Sequence, residues 1–167
     1  KEIPIGAGIT LHEQLISQLG FIKLDERQTV IGKQLIGSIE SDGYIRRELE
    51  AILNDLAFAQ NIETTLEELE EILVKIQTFE PAGIAARNLK ECLLIQLDKK
   101  KEASDALTLA KRILTNSFDE FTKKHYDKII KKFNASDELL KEAVQIITKL
   151  NPKPGGITDG LVKTQFL

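Results

Sequence analysis

The chain has 167 residues, 42% of them hydrophobic, and a formal net charge of −3, which fits one domain or two small packed ones. Only 5% are aromatic and Trp and Met are absent, so a core must come from Leu, Ile, Val and Ala, which suits helices packed on helices. One cysteine, Cys92, excludes an internal disulfide framework, and no apolar run approaches the ~20 residues that a membrane span needs.

Helical periodicity dominates from the first residues onward. Thr10-Leu11-His12-Glu13 has the spacing of a capping box, and Leu11, Leu15, Ile16 and Leu19 form one apolar stripe that Gly20 ends. Asp25 opens a second helix with Ile31, Leu35 and Ile39 on one face, and Ser41-Asp42-Gly43-Tyr44 stops it with a turn signal. A third helix is expected from about Arg47 to Gln60, with Leu49, Ile52, Leu53 and Leu56 inward. A fourth starts at Thr65, with Glu68 completing a second capping box, and carries Leu66, Leu69, Leu73 and Ile76. Pro81 ends it and Gly83 permits a tight bend. The fifth helix, about Ala86 to Asp98, is apolar on almost every side, which places it centrally, with Leu93 or Leu94 buried. Lys99-Lys100-Lys101 marks a solvated break. Helices follow from about Ser104 to Ser117, from near Glu120 to Phe133, and from a Ser136 cap through Leu140, Ala143, Val144, Ile147 and Leu150. Asn151-Pro152-Lys153-Pro154-Gly155-Gly156 halts helix formation. The expected fold is all-α, about eight helices in two small bundles. Residues 9–98 form the first bundle with the connecting helix, 99–150 the second, and 151–167 a Pro/Gly linker.

Catalytic chemistry is missing from the pattern. His12 and His125 lie in helical segments without metal-ligand spacing and read as helix-face imidazoles. Cys92 reads as a buried inert thiol, and no phosphate-cradling glycine loop occurs. No catalytic residue, cofactor or metal site is expected, and the chain reads as a binding module, not an enzyme. Charge is unevenly spread: Glu40 to Glu80 holds 11 acids and 3 bases, whereas Asp98 to Lys132 holds 10 bases and 6 acids. Solvated helix faces explain this, and so does a dipolar module that orients on a charged partner. The helix after the Asp-Gly-Tyr turn carries Glu48, Glu50 and Asp55 against Arg46 and Arg47, unlike a basic recognition helix. The Lys-rich segment from Lys99 to Lys132 could touch phosphates, but it lacks the interleaved aromatics of a nucleic-acid platform and reads more as a surface. No signal-peptide pattern opens the chain, so a cytoplasmic location without membrane association is expected. Lys1 and the lack of Met read as a piece of a longer protein.

Three segments carry a family resemblance. The stretch from Phe79-Glu80-Pro81-Ala82-Gly83-Ile84-Ala85-Ala86-Arg87 through Asn88-Leu89-Lys90-Glu91-Cys92-Leu93-Leu94-Ile95-Gln96-Leu97 resembles the best-preserved part of the core-binding region of bacterial sigma-54 transcription factors. Ser41-Asp42-Gly43-Tyr44-Ile45 is similar to that family's turn between early helices, and Leu150-Asn151-Pro152-Lys153-Pro154-Gly155 to its Pro-rich exit. The resemblance implies two helical bundles that dock on RNA polymerase core enzyme in activator-dependent transcription initiation. Promoter DNA and the AAA+ activator ATPase would be met by regions of the full-length protein outside this sequence. Expected partner contacts are Asp42, Tyr44, Glu67, Glu70, Glu71, Arg87, Asn88 and Lys90, with Pro81, Gly83, Leu93 and Leu94 structural. For Arg87, a salt bridge to the acidic fourth helix stands beside a partner contact. A DNA-binding helical domain and a helical adaptor for another protein are the alternative readings.

Overall fold

A computed structural model describes residues 10–156 of the chain. Among them are nine α-helices and no strand longer than an isolated bridge: α1 Leu11–Leu19, α2 Glu26–Gly37, α3 Leu49–Ala59, α4 Leu66–Ile76, α5 Leu89–Asp98, α6 Asp105–Asn116, α7 Phe118–Thr122, α8 Tyr126–Phe133 and α9 Asp137–Thr148. The all-α expectation holds. One of the eight expected helices differs, because the segment expected as one helix from Glu120 to Phe133 is divided between α7 and α8. Lys124 between them has φ 62°, a left-handed conformation that interrupts the helix.

Side-chain caps set most of the helix starts. Thr10 and Asp25 each form a complete capping box, with Glu13 and Gln28 respectively, and Ser104 and Ser136 accept from the amides of Leu107 and Leu139. Thr65 accepts from the Glu68 amide, but the Glu68 carboxylate turns to Arg27 on α2, so the second half of the expected box gives way to a tertiary contact. Asn88 caps α5 by accepting from the Glu91 amide at 2.9 Å, which moves the helix start from Ala86 to Leu89.

The chain divides into two compact units after Arg87: the first holds described residues 10–87 and 153–156, and the second is Asn88–Pro152. The sequence reading assigns α5 to the first bundle; here it packs on α6 within the second. In the first unit α2 touches α1, α3 and α4. Leu15, Ile31, Leu35, Ile52, Leu56, Leu69, Leu73 and Ile76 are fully enclosed there. In the second unit α6 packs chiefly on α9 and also on α5 and α7, around Leu97, Ala110, Ile113, Leu114, Ile129 and Ala143. Burying each such Leu or Ile contributes roughly 1.5–3 kcal/mol before the entropic cost of ordering it. Ile9 and residues 157–167, which the sequence reading placed in the first bundle and the linker, lie outside the described residues.

Candidate functional site

The three segments that carry the family resemblance meet in space within the first unit. The turn after α2 is closed by an antiparallel bridge between Ile39 and Ile45, with the Glu40 amide donating to the Tyr44 carbonyl at 2.8 Å. Within it the Gly43 amide donates to the Glu40 carbonyl at 2.9 Å, and the Asp42 carboxylate accepts from the Tyr44 amide at 3.2 Å, an Asx turn. The segment after α4 lies against this turn. The Ala85 amide donates to the Gly43 carbonyl at 2.8 Å and the Ile45 amide to the Ala86 carbonyl at 2.9 Å. The Pro-Gly exit closes the group, because the Gly155 amide donates to the Asp42 carbonyl at 3.1 Å.

Two glycines make this approach possible. Gly43 has φ 97°, and a Cβ there would stand 2.7 Å from the Gly155 nitrogen and 2.9 Å from Pro154 Cγ. A Cβ on Gly155 would stand 2.6 Å from both the Gly43 nitrogen and the Ser41 carbonyl oxygen. Backbone therefore lies on backbone, and residues 153–156, read in the sequence as linker, belong to the first unit.

Carboxamide side chains pin the segment after α4. Gln18 on α1 pairs with Glu80 as a second strand would, its Oε1 accepting from the Glu80 amide at 2.8 Å and its Nε2 donating to the Glu80 carbonyl at 2.7 Å. Buried Gln77 donates to the Ala85 carbonyl at 3.0 Å, which holds a fully buried alanine at φ 68°. His12 Nε2 lies 2.7 Å from the Ile39 carbonyl oxygen and ties α1 to the turn. In the second unit Gln96 repeats the device on Asn151, donating to its carbonyl at 2.6 Å and accepting from its amide at 2.9 Å. Sequence reasoning missed all three glutamines; each bonds a main-chain group outside its own helix, which leaves no local pattern.

The rim of the turn is charged and internally paired. Arg46 donates to Asp42 at 2.8 and 3.1 Å and to Glu40 at 2.6 Å, and its guanidinium stands 4.9 Å from the centroid of the Tyr44 ring. The Arg46 hydrogen bonds hold the Asp42 carboxyl below its usual range, opposed by partial burial and helped by the Tyr44 amide. Arg87 grips Glu70 on α4 with two bonds, at 2.8 and 3.0 Å. Glu68 accepts from Arg27, Thr64 and Gln28, and the Arg27 bond leads in lowering its pKa to about 2.

The sequence-derived residues thus separate. Pro81 and Gly83, the latter at φ 93°, shape the segment on the turn. Tyr44 is 6% exposed and offers a partner little surface, and Asn88 serves as the α5 cap. Asp42, Glu70 and Arg87 sit on the surface in ion pairs, Glu67 and Glu71 are exposed on α4, and Lys90 is half-buried in the first turn of α5. Leu93 is buried and Leu94 half-buried, both against the core of the second unit. Phe21 and Phe58, 87% and 89% exposed, were not singled out by the sequence, because helical periodicity does not distinguish an exposed aromatic from a core one.

Among the described residues no group of three or more His, Cys, Asp and Glu side chains could hold a metal ion, and no helix is long and apolar enough to cross a membrane. The described residues thus form an all-helical scaffold whose charged rim at the turn is internally paired. Residues 4–165 match the family described as the sigma-54 factor core binding domain, and the chain belongs to that family. It is 34% identical over 149 residues to an RNA polymerase sigma-54 factor of Pseudomonas putida, covering 89% of this chain and 30% of the relative. It is 36% identical over 148 residues to that of Azotobacter vinelandii, covering 89% and 29%. The factor of Escherichia coli is 29% identical over 157 residues, covering 92% and 32%. The chain thus spans about 30% of the length of the curated relatives it matches.

Proposed function

We propose that this chain is the part of a sigma-54-type factor that docks on RNA polymerase core enzyme, in activator-dependent transcription initiation. The observation that carries the reading is the convergence of the three family-resembling segments on the Ser41–Ile45 turn, in a chain that belongs to the core binding domain family. Backbone bonds fix the turn, and the carboxamides of Gln18 and Gln77 fix the segment packed on it, so its rim is preorganised and binding orders little of it. Asp42, Glu67, Glu70, Glu71, Arg87 and Lys90 are the rim and helix-face groups through which a partner would be oriented. The role is non-catalytic and is exercised where polymerase works, in the cytoplasm. Reading promoter sequence and meeting the AAA+ activator belong to other regions of the full-length protein.

A sequence-reading role for the helix after the turn lacks support. Arg47 on that approach is tied to Asp55 at 2.8 and 3.0 Å, and α3 presents Glu50 in its first turn. The test is biolayer interferometry with immobilised chain and purified core polymerase at physiological salt. Saturable binding is expected, and its absence overturns the reading.

A further inference from the structure

We propose that the second unit carries its own contact surface for the phosphate backbone of duplex DNA, formed by Lys123 and Lys124 between α7 and α8 together with Lys128, Lys131 and Lys132 on α8. Between residues 123 and 132 these five lysines face one acid, Asp127, in a chain whose net charge is −3. All five are exposed, as is His125 among them. None makes an ion pair among the described residues; Lys132 donates instead to the Asn116 carbonyl at 2.7 Å. Tyr126, Ile129, Ile130 and Phe133 pack toward the second core, so the opposite edge of α8 carries Lys128, Lys131 and Lys132 together. Arg112 on α6 extends the edge, its guanidinium 4.9 Å from the centroid of the Phe133 ring, which Lys132 also flanks.

Folding has a use for only part of this charge. Lys131 and Lys132 occupy the last turn of α8, where the helix dipole favours cations. Lys123 is the C-cap of the short α7, but Lys128 lies in the first turn of α8, with Lys124 just before it, at the positive end of that dipole, where cations are disfavoured. Repulsion among neighbouring lysines adds to the local cost. A polyanion lying along the edge would offset both.

The absence of an exposed apolar anchor favours DNA over an acidic protein. Protein interfaces draw most of their affinity from aromatic or aliphatic residues at a dry centre. The large hydrophobics that are exposed among the described residues (Phe21, Phe58, Leu66, Val74 and Leu89) all lie outside residues 118–133. A phosphate backbone needs only cations, and duplex DNA has one charge per ~1.7 Å of its axis, denser than any single strand. Such contacts carry no sequence information. The surface shares no residue with the turn in the first unit or with the groups proposed to orient polymerase.

The test is fluorescence anisotropy of the whole chain on a 20-base-pair duplex of arbitrary sequence, across 50 to 200 mM salt. With roughly five phosphates neutralised, the wild type should lose on the order of 500-fold in affinity over that range. The Lys124→Gln, Lys128→Gln, Lys131→Gln variant should lose only about tenfold, since two contacts remain. Arginine at the same three positions should restore the wild-type slope, and circular dichroism should show the same helicity in all three proteins. Gln replacements of Lys99, Lys100 and Lys101 should leave the slope unchanged. Polymerase binding measured on the same Lys124/128/131 variant separates this proposal from the docking role. No duplex binding at 50 mM salt, an equal slope in the two Gln variants, or tighter binding of poly-glutamate or single-stranded RNA than of duplex would overturn it.

Discussion

At the scale of single residues, the site rests on main-chain geometry that side chains cannot replace. Gly43→Ala would force a Cβ onto the left-handed backbone and within 2.7 Å of the Gly155 nitrogen. The backbone penalty alone is about 1–2 kcal/mol, and the collision adds to it. Gly37, exposed in the last turn of α2 with nothing within 4 Å of its missing Cβ, provides the contrast, because Gly37→Ala should gain about 0.5–1 kcal/mol. Urea denaturation of both variants should show midpoints displaced in opposite directions. Glu68 provides a second residue-scale prediction. Its carboxyl, ordinarily near 4.5, is lowered to about 2 by Arg27, Thr64 and Gln28, so the folded state prefers the ionised form. That stabilisation is complete above about pH 4.5 and disappears as the pH falls toward 2. Glu68→Gln should therefore lie below wild type by a constant margin from pH 7 to 5, and the two should converge near pH 2. A margin independent of pH would show that the carboxylate charge is not what binds α4 to α2.

At the scale of elements, legibility followed how local the cause was. α1, α2, α4, α6 and α9 could be read because their caps and apolar stripes sit within a few residues of each other. The break between α7 and α8 could not, since Lys124 takes a left-handed conformation with no glycine to signal it. The assignment of α5 differed for a related reason. An all-round apolar helix declares that it is buried without naming its neighbours, and only the three-dimensional packing joins it to α6. The turn at Ser41–Ile45 was legible as a turn, while its role as the meeting point of three segments was not, because its partners lie 40 and more than 100 residues away. For α5 the consequence is measurable. Leu97 is fully enclosed in the second core and Leu94 only half-buried, so Leu97→Ala should cost ~2–5 kcal/mol and Leu94→Ala clearly less. Equal denaturation midpoints for the two variants would show that α5 does not present its Leu93–Leu97 face to that core.

For the molecule as a whole, the uneven charge acquires a more specific meaning once the pairs are known. Of the acids on α4, Glu68 is committed to Arg27 and Glu70 to Arg87, so reversing either would break a bond within the fold. Glu67 and Glu71 are exposed on the same helix and form the fraction of the α4 acids available to an incoming partner. Rim charges of this kind steer encounter and change its salt dependence more than they change the lifetime of a complex. Reversing Glu67 forfeits a favourable helix-dipole interaction, about 0.3–1 kcal/mol, and Lys at position 71 would oppose Lys75 one turn on for a few tenths more. Neither cost threatens a helix whose Leu69, Ile72, Leu73 and Ile76 are buried. The Glu67→Lys, Glu71→Lys double variant should therefore keep its circular dichroism spectrum. If polymerase presents a basic surface to α4, the variant should associate with core enzyme several-fold more slowly at low salt, with a shallower salt dependence and a nearly unchanged dissociation rate. Stopped-flow association at two salt concentrations reads both quantities. An unchanged rate and slope in the folded variant would assign Glu67 and Glu71 to solvent and leave the paired rim around Asp42, Arg46, Glu70 and Arg87 as the charged surface of the first unit that a partner meets.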